Sequence, residues 1–389
     1  MSIESTYIRY MSIKSNNINM TGFNVRQPFN ALPALPPQVD IETTAVLKRC
    51  VEARAALAQL KQVALMLPDQ SVLTNTLPML EAQASSEIEN IVTTTDRLFQ
   101  FADTSSANID PATKEALQYR TALYEGYLNL KTRPLNTTTA EKICTTIKAV
   151  DMAIRKTPGT ALQNDRTGDI IYTPPEGEAL LREKMANWEL FLHSDDDLDI
   201  LIKMAIGHYQ FEAIHPFTDG NGRTGRIVNI LYLIDHGLLD IPILYLSRFI
   251  IQNKAEYYRL LLEVTLKGEW TNWIIFMLNA VEETSRWTSG KINAILKLMG
   301  ATRAFIRAKE PKIYSSELVD VLFSQPYCRI SNLAEAGIAK RQTGSIYLAK
   351  LASIGVLVER KVGREKIYTN PRYMRLLTSD VNDFEAFGL

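Results

Sequence analysis

Between Ser194 and Leu239 the chain most narrowly limits its own fold, because two strongly apolar helical runs, SDDDLDILIKMAIGHYQFEAI and GRTGRIVNILYLIDHGLL, are separated only by HPFTDGN. The first opens on acidic capping residues and carries Ile200, Met204, Phe211 and Ile214 at helical spacing. It must stop near His215, since Pro216 disfavours a helical predecessor. The second is apolar on most of its surface and belongs inside a protein. The chain therefore reads here as a helix, a tight loop and the start of a second, buried helix.

The loop carries chemistry as well as a turn. Ile214 to Arg226, IHPFTDGNGRTGR, holds one histidine, one carboxylate, three glycines and two arginines. Free backbone N–H groups and the positive end of the second helix face it, and Gly220 and Gly222 let the backbone approach a ligand closely. Arg223 and Arg226, three apart, reach the same side and supply fixed charge for phosphate oxygens. Two cations at a helix start oppose its dipole, which calls for something anionic in compensation. Asp219 offers one hard oxygen ligand, and Mg²⁺ takes one or two carboxylates together with substrate phosphates. His215 suits the removal of a proton from a hydroxyl nucleophile near neutral pH. Together these read as a nucleotide phosphate site with a metal and a general base. GNGRTG also satisfies the dinucleotide pattern GxGxxG, but the preceding residues are helical where that fingerprint needs a strand. No GKS or GKT follows the glycines, which excludes a Walker A loop. A plain helical connection with a satisfied histidine explains neither the arginine pair nor Asp219.

The rest of the chain reads as helical until near its end. With 389 residues and 46% hydrophobic content it has material for two or three globular domains. Its 43 basic and 43 acidic residues balance overall, but Lys297 to Arg375 carries 15 Lys or Arg against 6 Asp or Glu, a basic module on a mildly acidic body. Three scattered cysteines, Cys50, Cys144 and Cys328, fit neither a disulfide framework nor a metal motif, which makes a reducing compartment, the cytoplasm, the expectation. No apolar run reaches membrane-span length, and residues 1–24 read as a polar, loosely ordered lead without the apolar core of a signal peptide. After the Pro-rich PFNALPALPPQVD, an amphipathic helix is expected over 43–67. A second is expected from Pro78 in the first turn of PMLEAQASSEIENI, which places Ser85 and Glu89 on one face. Further helices are expected at about 112–130, 137–155 and 177–193, with a short hairpin in TGDIIYTPPEGE.

The loop closely resembles the signature of the Fic family, HxFxDGNGRxxR, met in full by His215, Phe217, Asp219, Gly220, Asn221, Gly222, Arg223 and Arg226. Most Fic proteins are adenylyltransferases that move AMP from ATP to a Ser, Thr or Tyr hydroxyl of a protein. The resemblance implies that His215 is the base and Asp219 the Mg²⁺ ligand. It implies an ATP phosphate cradle from Gly220, Asn221 and Gly222 through Thr224 and Gly225, with Arg226 on the γ-phosphate, Arg223 supporting it and Phe217 seating the loop. SSEIEN is similar to the family's inhibitory motif [S/T]xxxE[G/N] through Ser85, Glu89 and Asn90, which implies a carboxylate that pairs with Arg226 and blocks productive γ-phosphate binding. IIYTPP resembles the family's flap, where a target segment is held by strand addition, so Ile170, Ile171 and Tyr172 are expected near ATP or target. AEYYRLLLEVT resembles the helix beside the adenine pocket and makes Tyr257 a candidate contact.

From about 295 the chain reads as helix, short helix, a Gly337 turn, a helix from near Lys340, and two strands around KVGRE, which is a winged helix. Its basic balance is compatible with DNA, and protein docking is the competing use. The expected fold is mostly α: a Fic-type helical core with a small β-hairpin flap (111–290), a preceding helical domain with the inhibitory helix (25–110), a winged helix (291–376) and a tail (377–389). The expected function is a self-inhibited, Mg²⁺-dependent protein adenylyltransferase. Its expected partner is a target protein docked at the flap, while self-modification and a homodimer stay open. Competing readings are a DNA-binding regulator with a nucleotide-sensing core, a kinase-like transfer and removal of AMP.

Overall fold

The computed structural model describes residues 23–67, 69–102, 109–163, 167–362 and 365–388. The polar lead expected at the N-terminus lies outside the described residues as far as residue 22. The chain begins with α1 (Thr44–Ala64), α2 (Ser71–Ile88), α3 (Thr95–Phe101), α4 (Pro111–Leu130) and α5 (Thr137–Lys148). A small antiparallel pair follows, β1 (Leu162–Gln163) with β2 (Ile170–Tyr172), in the hairpin region expected. Then come α6 (Glu178–Leu192), α7 (Ile200–Ile214), α8 (Asn221–Asp235), α9 (Leu246–Gln252), α10 (Lys254–Lys267) and α11 (Trp270–Lys309). The C-terminal module contains α12 (Ser316–Ser324), β3 (Tyr327–Cys328), α13 (Ile330–Glu335), α14 (Arg341–Ser353), β4 (Val358–Val362), β5 (Glu365–Thr369) and α15 (Pro371–Thr378). Its helix order, the left-handed Gly337 turn and the β4–β5 hairpin follow the sequence reading, and β3 adds a third strand on β5.

The core is organised around α7, which is buried along nearly its whole length, as is α8. Asp199 caps α7 by accepting the Leu201 N–H at 2.8 Å. Two indoles brace the same helix from opposite neighbours: Trp188 on α6 donates to the Gly207 carbonyl at 2.9 Å, and Trp273 on α11 donates to the Ala205 carbonyl at 2.8 Å. Gly207 allows this close approach, since a Cβ there would lie 2.8 Å from a Leu192 methyl. The C-terminal module rests on the first helices: the Tyr327 hydroxyl donates to Asp96 at 2.6 Å, and Arg329 donates to the Gln100 carbonyl at 2.9 Å.

Three element boundaries differ from expectation. Pro78 lies inside α2 rather than in its first turn, because Val72, Leu73 and Leu77 already bury an apolar face ahead of it. Tertiary burial there outweighs the one backbone hydrogen bond that an interior proline removes. The helix expected over 137–155 stops at Lys148, where Ala149 turns left-handed. The boundary expected at 290 falls within α11, a continuous helix of 40 residues whose buried side chains run from Trp273 to Ile306.

Trp273 is fully buried and hydrogen-bonded. Trp273→Ala is therefore expected to lower unfolding free energy by about 3–5 kcal/mol, read as a lower urea midpoint.

Candidate active site

The loop between α7 and α8 is held from both sides. His215, the residue after α7, is left-handed at φ 50°, a conformation costly for a non-glycine. Arg155, buried below the loop, secures it: its Nε donates to the His215 carbonyl and its backbone N–H to the Pro216 carbonyl, each at 2.9 Å. Asn221 closes the loop from within. Its side chain accepts the Phe217 N–H at 2.8 Å and donates to the Phe217 carbonyl at 2.9 Å, while Phe217 is buried edge-on to Phe211. The Asn221 amide is thus spent on the turn, and any ligand contact from this residue would come from its backbone. Gly220, left-handed at φ 79°, forms the N-cap of α8.

Arg226 is almost wholly buried, with 1% of its surface exposed. Its Nε donates to Ser85 Oγ at 2.8 Å, and its Nη2 donates to the Ser85 carbonyl at 2.9 Å and to Glu89 Oε1 at 2.7 Å. Glu89 follows the last residue of α2, and Asn90 after it is left-handed at φ 61°. The Asn90 N–H reaches the Glu87 carbonyl and the Ile91 N–H the Ser86 carbonyl, both at 3.0 Å, which is a Schellman cap. Asparagine tolerates that left-handed position, so Asn90 ends α2 where the Glu89 carboxylate meets the loop. A Cβ on Gly222 would lie 2.3 Å from Glu89 Oε1 and 2.9 Å from Arg226 Nη1. The carboxylate therefore sits directly over the glycine of the candidate phosphate cradle.

Beside it lies a second charge system. Lys148 Nζ is 2.6 Å from Asp219 Oδ2 and 2.7 Å from Glu115 Oε1, and Arg223 Nη1 is 2.5 Å from the same Glu115 oxygen. Arg223 Nη2 lies 3.5 Å from Asp219 Oδ1. Burial alone would push the Asp219 carboxyl up, but the Lys148 hydrogen bond and the charges of Lys148 and Arg223 hold it below the usual carboxylate range. Among the described residues no group of three or more His, Cys, Asp or Glu side chains could hold a metal ion. Asp219, with 58% of its side chain exposed at the loop, fits a Mg²⁺ whose remaining ligands are phosphate oxygens and water.

Desolvation, followed by the Arg155 charge, pushes the half-buried His215 imidazole down to about 4, so it is neutral at pH 7 and able to accept a proton. Thr224 and Gly225 are buried in α8, where a Cβ on Gly225 would lie 2.9 Å from Glu212 Oε1. Two candidates are buried, with hydroxyls bonded within the core. The Tyr172 ring packs near Phe23 and Phe29 and its hydroxyl donates to the Ala213 carbonyl at 2.8 Å, because strand alternation turns it inward. Tyr257 is 1% exposed with its hydroxyl 2.8 Å from His208 Nε2, a core tyrosine satisfied by a core histidine. Ile170 and Ile171 are half-buried in β2. Arg155, Glu115 and Lys148 belong to the site but escape sequence reading, since each lies 60 or more residues from the loop residue it contacts, as in Arg155 with His215 and Lys148 with Asp219, 71 apart. No described helix is long and apolar enough to cross a membrane.

Three family models match parts of the chain. Residues 47–128 match the Fic/DOC family N-terminal model, 137–233 the Fic/DOC family model, and 298–373 the C-terminal domain of SoFic-like protein adenylyltransferases. The probable protein adenylyltransferase aq_aa38 of Aquifex aeolicus (strain VF5) is 41% identical over 68 residues, 18% of this chain and 20% of its own. Protein adenylyltransferase Fic of Nematostella vectensis is 32% identical over 114 residues, 29% of this chain and 25% of its own. The matches thus span about a quarter or less of these curated relatives. The crystal structure of a Fic family protein from Desulfovibrio desulfuricans G20 shares the fold, with a TM-score of 0.55 at 18% identity over 87% of this chain and 98% of that one.

Burial pushes His208 down to about 3, with the Arg226 charge acting the same way. Both it and His215 start from about 6.5 in an unfolded chain. With folded values depressed, the unfolded state takes up protons first, so stability falls as pH drops from about 6.5 toward 4. Glu212, pushed up to about 7 mainly by burial, acts oppositely: its contribution is lost as pH rises from about 4.5 to 7. His208→Gln is expected to flatten the acid-side fall in Tm between pH 6.5 and 4 relative to wild type, measured by calorimetry.

Proposed function

Because this chain belongs to the Fic/DOC family, we propose that it transfers AMP from ATP to a hydroxyl of a protein and that Glu89 restrains the transfer. The observation that carries the reading is the position of the Glu89 carboxylate, paired with Arg226 at 2.7 Å and lying against Gly222. It occupies, as a chain-borne anion, the ground where phosphate oxygens would lie.

In the transfer, the target hydroxyl oxygen bonds to the α-phosphorus while His215 accepts its proton, and the bond to the bridging oxygen breaks to release pyrophosphate. The neutral imidazole at pH 7 is in the correct state for that role. Backbone N–H groups around Gly220 and Gly222, the start of α8 and Arg223 stabilise the phosphate charge, and Arg226 holds the γ-phosphate. Mg²⁺ held by Asp219 would supply further charge neutralisation at the phosphates. The exposed edge of β2 would align a target segment by main-chain pairing. In the resting state Glu89 satisfies Arg226 and keeps the γ-phosphate from its productive place.

Intact-mass spectrometry tests this with ATP and Mg²⁺. Glu89→Gly is expected to accumulate an AMP adduct at least about tenfold faster than wild type, equivalent to ~1.4 kcal/mol. Adding His215→Ala should abolish the adduct while ATP binding persists. A phosphate adduct would replace AMP transfer with a kinase-like reaction. Equal rates for wild type and Glu89→Gly would remove Glu89 as the restraint.

A further inference from the structure

We infer that Lys148 is a built-in counter-cation that occupies the metal's position on Asp219 until nucleotide arrives, so that the divalent metal binds with the nucleotide and not before it. The inference rests on Asp219 being the carboxylate that takes the metal. Lys148 is the last residue of α5, and its ammonium lies between two carboxylates, 2.6 Å from Asp219 and 2.7 Å from Glu115. Those separations are those of charge-assisted hydrogen bonds, so the ammonium fills the space between the two carboxylates. The opposite Asp219 oxygen accepts the Gly220 N–H at 2.5 Å, so the ammonium stands on the Asp219 oxygen that the loop backbone leaves unused.

The lysine is also placed to leave. Its stem runs along the loop, with Cγ and Cδ each 3.5 Å from where a Gly220 Cβ would stand. Rotation about that flexible stem carries the ammonium off Asp219 while Glu115 still tethers it. Glu115, Lys148, Asp219 and Arg223 contribute two negative and two positive charges, a balanced set that a bare dication would have to unbalance. Metal accompanied by phosphate brings its own negative charge, and Arg223 and Lys148 are then left facing phosphate oxygens.

Mn²⁺ titration of the full chain without nucleotide, followed by the loss of the free-ion electron paramagnetic resonance signal, tests the exchange. Lys148→Met frees Asp219 and Glu115 into one space and is expected to bind one Mn²⁺ at least about tenfold more tightly than wild type. Asp219→Asn in that background should remove the gain, and Lys148→Arg should restore weak binding. Lys148→Gln, which keeps a polar stem, serves as a second test if the methionine variant does not fold by circular dichroism. Unchanged or weaker Mn²⁺ binding in the folded Lys148 variants, or a gain that survives Asp219→Asn, would overturn the inference. The titration involves no group transfer, so it stays readable if the AMP-transfer reading fails, and a negative titration leaves that reading standing.

Discussion

A guanidinium taken almost wholly out of water sets the terms for the site. Desolvating an ion costs several kcal/mol unless hydrogen bonds and an opposite charge replace the water, and Arg226 finds its hydrogen bonds at the end of α2, in Ser85 and the following Glu89. The pairing also resolves two local electrostatic conflicts. Glu89 stands at the carbonyl end of α2 and Arg226 near the amide end of α8, each beside a helix end of its own sign. Brought together, each neutralises the other and the two helix ends face each other favourably. The placement of α2 and the form of the loop are consequently one physical problem.

The site contains two charge systems with different solvent access. Arg226 and Arg223 are both almost wholly buried, whereas the carboxylates facing them keep solvent access, 33% of the Glu89 side chain and 58% of that of Asp219. Ionic strength therefore acts on the metal side of the cradle more than on the restraining side. The backbone around Gly220 and Gly222 lies between the two, which lets a phosphate chain engage both.

Features encoded by neighbouring residues were legible in the sequence. The stop at His215–Pro216, the glycine-bearing loop, the Ser85–Glu89 face and the helix-rich order all rest on local spacing. The start of α2 was misplaced because proline statistics at a first turn were outweighed by apolar packing ahead of Pro78. Tyr172 and Tyr257 were expected near the ligand; both are buried, with hydroxyls on the Ala213 carbonyl and His208, and Tyr257 lies within electrostatic reach of Arg226 and Glu89. Arg155 and Lys148 carry no local signal, since what they do exists only once α5 and its following loop have packed beneath α8's entrance.

The uninterrupted α11 also determines how motion passes through the molecule. At 1.5 Å per residue its 40 residues form a rod about 60 Å long. One end is anchored by Trp273 beside α7, and the other by Phe305 stacked on Phe387 of the C-terminal segment. Gly290 and Gly300 lie between these anchors, yet the helix runs through both without a break. A force on the C-terminal module is thus delivered as strain to the helices beneath the loop, and the rod's stiffness sets how far that module can move while the cradle keeps its shape.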